Sequence, residues 1–435
     1  MVCLEKTMRK PDILYISFYF PPLGGVASIR GLKNVKYLSE LGHQVDVLTV
    51  RPRWMRHPRD FALLDELPAF VRVWRAFYPD ANWLFKLLWG LKLGKLVDFL
   101  NQRLFRPGPE ALWLPFAKLK LRRILRQNPA LKIAVISSGP PAALFLGLWL
   151  KAKYQLPFIC DFRDEWTNNP ERVNIDFPAK TQNRDKADES RVLSACAGVS
   201  YLNVLMRDNF FRHYPFLSQK PSAIIPNGFD DSDFEALPTA SSREVFRLVY
   251  SGSFYDRRQP DPLWKELLAS IHENKIDPAK FRVDIIGKNS PAFVLGKYQH
   301  DPILKQIVYF HPFAPYKDSL AKLMQASALL LYIPSGENTE SVLTGKIFDY
   351  LRSEKPVLAI VPPQGLAANL LTEAGTGLIA DYTDAAGIAA NLNKLYQMWE
   401  TGKLAEIQAD TEFIQQFSRQ KLALRMSKLI EEVLR

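Results

Sequence analysis

Lys346 and Asp349 stand three residues apart in the stretch GENTESVLTGKIFDYLRSEKPVLAI (336–360). That spacing puts both side chains on one face of a short helix, with the lysine in its first turn. A helix N-terminus and an ammonium group both attract phosphate, and a carboxylate one turn further on accepts hydrogen bonds from ribose hydroxyls. The polar loop ahead of the helix, with Glu340 and Ser341, offers further hydrogen-bonding groups. Upstream, YSGSFYDRRQP places Gly252 just after a strand-like run and Arg257 and Arg258 just before Pro260. A glycine turn followed by guanidinium groups suits a diphosphate, which arginine binds bidentately; a solvated surface pair reads the same way.

The N-terminal half has its own candidates. In FYFPPLGGVASIR, Gly24 and Gly25 sit at a strand-to-helix turn, where glycine lets backbone N–H groups approach an anionic or sugar ligand and is also used for steric reasons alone. In CDFRDEW, Asp161, Arg163, Asp164 and Trp166 follow a strand. They form either a buried ion-pair network or a site that orients hydroxyls and handles a proton. IIPNGFD sets Asn227 and Gly228 after another strand, as a plain turn or as the wall of a ligand cleft. No G-x-G-x-x-G occurs, which disfavours a nicotinamide dinucleotide site.

These groups need strands to carry them. ILYISFY (13–19), VDVLTV (45–50), KIAVISS (132–138), FICDF (158–162), GVSYL (198–202) and AIIP (223–226) read as strands separated by helical patterns. The first helix shows its period in Ile29, Leu32, Val35, Leu38 and Leu41, with Gly42 as its stop. After a polar, turn-rich stretch near 240 the alternation restarts with RLVYSGS, RVDIIGK, VYFHPF, ALLLYIP and KPVLAIVP. This predicts an α/β protein with two Rossmann-like halves, in which ligands bind beyond the carboxyl ends of the strands.

At 435 residues, with 47% hydrophobic and 23% charged residues, the chain has material for two large cores and does not resemble a disordered or fibrous protein. Three cysteines without metal-ligand spacing support neither a disulfide framework nor a zinc site, and a reducing cytoplasm fits them. No signal peptide or membrane span is expected. The formal charge is +12, and residues 51–130 hold sixteen Lys and Arg against six Asp and Glu, so an excess of ten lies in that stretch. It also carries five of the nine tryptophans. Basic residues interleaved with aromatics suit a nucleic acid or an anionic membrane surface. No nucleic-acid module is present, and contact with the membrane, centred on NWLFKLLWGLKLGKLVDFL (82–100), is the expectation.

With these segments in this order the chain resembles, over nearly its whole length, glycosyltransferases of the GT-B fold, specifically the retaining family 4 group. The resemblance rests on FPPLGG followed by Arg30 and the helix ending LGHQVDVLT, on SSGPP with the later DFRDEW, on IPNGFD, on YSGSFY with Arg258 and Pro260, and above all on GKIFDYLRSEKPVLA. It implies two Rossmann-like domains facing across a cleft: residues 1–226 on the acceptor side with a basic aromatic insertion around 51–130, residues 227–410 holding a nucleotide-diphosphate-sugar, and a helix over 411–435 crossing back to the first domain. It also implies sugar transfer to a glycan or lipid-linked acceptor in cell-surface polysaccharide or glycolipid biosynthesis, with no metal and no cofactor beyond the donor substrate. Such an enzyme works in the cytoplasm, peripherally on the inner face of the cell membrane.

Residue by residue, Asp349 takes the place of the second glutamate of the family's E-x7-E motif and Ser341 that of the first, with Glu340 beside it. Arg258 and Lys346 match diphosphate contacts, Gly24 and Gly25 the glycine loop facing the donor, and Asn227 and Gly252 complete the donor set. Asp161 and Asp164 are the expected catalytic pair, with Arg163 and Trp166 on the acceptor side. The segment after SSGPP reads AALFLG and carries no histidine. Two alternatives keep the fold: a nucleotide-sugar epimerase, or a degenerate, non-catalytic partner protein.

Overall fold

The computed structural model describes residues 10–55, 57–80, 88–94, 107–168, 179–235, 237–238, 243–254, 259–334 and 339–435. Arg257, Arg258 and most of 82–100 lie outside them. The chain forms two compact units, Met1–Pro226 with Arg419–Arg435, and Asn227–Ser418.

The first unit is built on a seven-stranded, all-parallel sheet: β1 (Asp12–Ile16), β2 (Val45–Val50), β3 (Arg72–Ala76), β4 (Leu131–Ser137), β5 (Phe158–Asp161), β6 (Gly198–Tyr201) and β7 (Ser222–Ile224), in the order β3-β2-β1-β4-β5-β6-β7. The central strand is buried on both sides because its residues alternate between two cores. Leu14 and Ile16 join Leu48 and Ile136 on one face, and Ile13 and Tyr15 join Val47 and Ile133 on the other. The helix Val26–Glu40 covers the second face with Val35 and Leu38.

That face is completed by the last helix, Arg419–Leu434, through Leu422, Met426, Leu429 and Ile430. His43 fixes it, with Nδ1 at 2.9 Å from the Pro11 carbonyl and Nε2 at 2.8 Å from Ser427 Oγ, and Lys10 pairs with Glu431. The single helix expected from residue 411 is in fact two. Thr411–Gln415 belongs to the second unit, where Ile414 enters the core, and Arg419–Leu434 to the first. Two different cores claim the apolar residues on either side of Gln416–Ser418, so one straight helix cannot serve both.

The second unit repeats the scheme with six parallel strands: β8 (Phe246–Ser251), β9 (Phe281–Ile286), β10 (Val308–His311), β11 (Ala328–Tyr332), β12 (Val357–Ile360) and β13 (Gly377–Ala380), in the order β10-β9-β8-β11-β12-β13. Leu248, Ile285, Leu330 and Leu358 face one core; Val249, Ile286, Leu331 and Ala359 face the other. Two edge strands, β3 and β13, escape the sequence reading. RVWRA is interrupted by Arg72 and Arg75 and is largely half-exposed, and GLIA is only four residues long, so neither shows an apolar run. No helix among the described residues is long and apolar enough to cross a membrane.

Candidate functional site

Strand order reverses between β1 and β4 in the first sheet and between β8 and β11 in the second. At such a switch point the loops leaving neighbouring strands run to opposite sides and leave a crevice at the carboxyl edge. The residues after β1, β4, β8 and β11 therefore border these crevices.

In the second unit β8 runs into Gly252, which adopts φ +140° and donates its N–H to the Ile286 carbonyl at 2.8 Å. A Cβ there would stand 2.5 Å from Lys346 Nζ, so the glycine is what lets the ammonium reach the strand end. Lys346 opens the helix Lys346–Ser353 and lies 3.8 Å above the Tyr250 ring centroid, and Tyr250 stacks on Phe254 at 4.0 Å. A cation at a helix N-terminus is repelled by the dipole, because both present positive charge. Their convergence on Gly252 makes a place where an anion relieves both. Asp349, one turn on, accepts a hydrogen bond from Tyr316 Oη at 2.7 Å, so its carboxylate is fixed in direction. Glu340 lies in the 3-10 turn Thr339–Ser341, packed closely enough on Gly365 that a Cβ there would meet the Glu340 backbone at 3.2 Å.

Three supporting groups are absent from the sequence reading. Asn289 holds the Gly252 loop, donating from Nδ2 to the Gly252 carbonyl at 2.9 Å and accepting the Phe254 N–H at 2.8 Å. Gly287, at φ +138°, leaves room for that loop, since a Cβ would strike the Gly252 carbonyl oxygen at 2.5 Å. Thr344 Oγ1 is buried with no hydrogen-bond partner among the described residues, just before the Lys346 helix. The GxN spacing after RVDII is the one sequence feature that could have marked the first two. Asn227 opens this unit, 7% exposed, with Oδ1 also lacking a hydrogen-bond partner among the described residues.

The first unit corrects three expectations. Asp161 is 0% exposed and every bond it makes is internal: Arg30 Nη2 donates to Oδ1 at 2.7 Å, Arg30 Nε to Oδ2 at 3.2 Å, and Ser200 Oγ to Oδ1 at 2.7 Å. Burial pushes its pKa up, but the charge and hydrogen bonds of Arg30, with that of Ser200, prevail and hold it below the usual carboxylate range. It is a structural anchor, not a proton acceptor, because a side chain sealed on all sides reaches no substrate. Trp166 is 1% exposed, set edge-on to Phe145 in the core, so it is not an acceptor contact. Gly24 already donates its N–H to the Pro58 carbonyl at 2.8 Å and has none left for a donor.

The neighbours of these three remain open to ligands. Gly25, exposed at φ +93°, precedes the helix Val26–Glu40, whose first turn no side chain caps. Asp164 is exposed, and Arg163 lies against Gly139 so tightly that a Cβ there would overlap its guanidinium. Beyond them, Glu165 accepts from Asn209 Nδ2 at 2.6 Å, and burial, reinforced by Glu189, raises its carboxyl to about 7.

Residues 32–233 match the model of Glycosyltransferase Family 4. The whole chain is similar to solved glycosyltransferase structures. A glycosyltransferase from Rickettsia africae ESF-5 is 14% identical with a TM-score of 0.61, over 98% of this chain and 99% of that one. WaaG, a glycosyltransferase involved in lipopolysaccharide biosynthesis, is 13% identical with a TM-score of 0.60, over 96% and 99%. The E. coli trehalose-6-phosphate protein bound with UDP-2-fluoro glucose is 13% identical with a TM-score of 0.63, over 98% and 99%. The chain has the two-domain fold of these glycosyltransferase structures, and residues 32–233 are similar in sequence to family 4. No curated protein matches it significantly in sequence. The family 4 match ends at Asp233, so the Lys346 constellation lies beyond it and stands on its own geometry.

Proposed function

We propose that this glycosyltransferase moves a sugar, with retention at the anomeric carbon, from a nucleotide-diphosphate-sugar held by residues 227–410 to a glycan or lipid-linked acceptor held by residues 1–226. The reading is carried by the approach of Lys346 Nζ to Gly252 at the start of a helix, on the switch point of the second sheet. Lys346 and the helix N-terminus bind the diphosphate, with Arg258 as a further contact; Asn227 and Gly252 frame the donor; Asp349 takes the ribose hydroxyls; Glu340 and Ser341 meet the sugar.

In the transfer, the bond from the anomeric carbon to the diphosphate oxygen breaks and its electron pair stays on phosphate. The acceptor oxygen bonds to the same face, and its proton passes to the departing phosphate. Stabilising the phosphate charge is then the largest task, and fixed cations and a helix dipole perform it without reorganising. Asp164 and Arg163 orient the acceptor. No metal is needed for a charge that protein cations already meet.

A panel of nucleoside diphosphates and their sugars in a thermal-shift assay tests the donor half. The matching donor at about 100 times its Kd should add about 2.7 kcal/mol. EDTA should leave both the shift and the transfer rate unchanged. Absence of any nucleotide effect defeats the reading and favours a non-catalytic partner protein, an alternative that Ser341, in place of a glutamate, keeps in view.

A peripheral position on the inner face of the cell membrane, within polysaccharide or glycolipid biosynthesis, belongs to the same proposal. It is supported by the helix Leu114–Gln127, which exposes Phe116 and Leu119 beside Lys118, Lys120, Arg122 and Arg123. Such a face gains from apolar insertion and from anionic headgroups together. The protein should float with vesicles containing phosphatidylglycerol and not with phosphatidylcholine alone, and Leu119→Glu should abolish flotation. Equal recovery with both vesicle types would refute it.

A further inference from the structure

The helix Leu144–Tyr154 is apolar on two sides, and the first sheet covers one of them. Leu144, Leu146 and Leu150 enter the core, and Gly147 lets the helix press onto β5, since a Cβ there would strike the Phe158 ring at 2.5 Å. Phe145, Leu148, Trp149 and Ala152 recur at i, i+3, i+4 and i+7 and make a second stripe, half-buried at the first three positions and exposed at the last. A helix that is apolar all round is ordinarily buried all round. This one is left open along that stripe.

The stripe is the floor of a groove of about 670 Å³, walled by the helices Leu114–Gln127 and Ala179–Ala195. Sites for small molecules run to about 300–1,000 Å³, so the groove has room for one. Its rim carries Lys118, Lys151 and Arg191, and no carboxylate lines it among the described residues. Lys151 is held in place by donating from Nζ to the Ala195 carbonyl at 2.7 Å. The Arg191 guanidinium stands 5.7 Å from the Phe145 ring centroid and pairs with Asp188, on its own helix, at 3.1 Å. Lys151 and Ala195 lie at the ends of helices that lead into β5 and β6, so this part of the groove is at the amino edge of the sheet, opposite the edge that carries Arg163 and Asp164.

An apolar floor under a rim of cations fits an occupant with a hydrocarbon part and an anionic head. The same face of a second copy would set like charges against each other. Lys118 belongs to the helix that exposes Phe116 and Leu119, so the groove is continuous with the face offered to the bilayer. We propose that the groove takes an acyl chain of an anionic phospholipid from the membrane, with the chain along Phe145, Leu148, Trp149 and Ala152 and the headgroup phosphate among Lys118, Lys151 and Arg191. The proposal rests on the peripheral membrane position above and adds to it a site for a single lipid.

The test is isothermal titration of the full chain with dihexanoyl phosphatidylglycerol as dispersed monomer, with the vesicle flotation assay run in parallel. Wild type should bind this lipid at least tenfold more tightly than dihexanoyl phosphatidylcholine or glycerol 3-phosphate. Ala152→Trp, which fills the groove from an exposed position, and Arg191→Gln should each weaken binding at least tenfold, with Tm held. In vesicles of phosphatidylglycerol with brominated acyl chains, which quench nearby tryptophan, Trp149→Phe should lose a quenched component of the fluorescence and still float, because phenylalanine keeps the stripe apolar.

Equal binding of the two lipids, or undiminished binding by Ala152→Trp, would overturn the site. Glycerol 3-phosphate binding as tightly as the lipid would reduce the groove to a site for a free anion. Tighter binding of a poly-glutamate peptide would assign it to an acidic protein segment, and a dimer in sedimentation equilibrium that Ala152→Trp dissociates would assign it to a second copy; either overturns the lipid. Flotation without monomer binding would remove the groove and leave the membrane position standing. Monomer binding without flotation would leave the groove as a lipid site and remove the membrane position.

Discussion

Arg30→Met is expected to destabilise the first unit by about 3–5 kcal/mol, the cost of leaving a buried charge without its partner. Arg30 is 1% exposed in the middle of the helix Val26–Glu40, and its guanidinium joins three elements. It donates twice to Asp161 at the end of β5, and to the Ile225 and Pro226 carbonyls just beyond β7 at 2.9 and 2.8 Å. Methionine matches the stem and none of the donors. Asp161 and two carbonyls are then stranded, and Asp161 either stays charged in an apolar site or takes up a proton.

Urea denaturation of the variant, followed by tryptophan fluorescence, should show the lower midpoint. The double variant Arg30→Met, Asp161→Leu should recover much of the loss, because removing both charges costs far less than removing one. The pH dependence has a definite sign. A carboxyl held below its unfolded value contributes stability above that value, near 3.8, and loses the contribution as pH falls through the folded value. Wild type should therefore lose stability in acid more steeply than the double variant. A single variant within about 1 kcal/mol of wild type would show that the guanidinium is replaceable by water or by repacking.

Lys346→Ala is expected to weaken nucleotide-diphosphate affinity ten- to a hundredfold, equivalent to about 1.5–3 kcal/mol for one charge-assisted contact. Gly252→Ala should act in the same direction from the other side, since its Cβ takes the space of Nζ and its φ of +140° strains any other residue. Isothermal titration of the donor found in the thermal-shift panel measures both. The structural control is favourable: alanine is a better helix former than lysine, and removing a cation from a helix N-terminus relieves repulsion. Tm in the absence of nucleotide should therefore hold or rise for Lys346→Ala while affinity falls. Unchanged affinity would place the diphosphate elsewhere.

How far each site was legible depended on which physics decided it. Lys346 and Asp349 were legible because one short helix carries both, and helical spacing alone puts them on a common face. Gly252 was legible as a glycine at a strand end, but not as the neighbour of Lys346, which lies 94 residues later. Asp161 was legible as a strand-end carboxylate, yet its partner is 131 residues away, and that partner turns a catalytic candidate into an anchor. Asp161 and Arg163 look alike in CDFRDEW; one ends sealed against Arg30 and the other lies beside Gly139, a difference that arises only from what the neighbouring strands and helices place against them.

The alternation of apolar runs and helical periods determined the two parallel α/β units by itself, because strand and helix periods are local and a strand buried on both faces must be apolar throughout. Composition likewise located the basic, aromatic stretch. Only the tertiary structure decided where the last helix is shared out, which carboxylates are spent on the fold, and that Tyr19, Tyr78 and Trp113 meet around Phe18. Each of those outcomes depends on contacts between segments tens to hundreds of residues apart, and burial and pairing at that range leave no periodic trace in the chain.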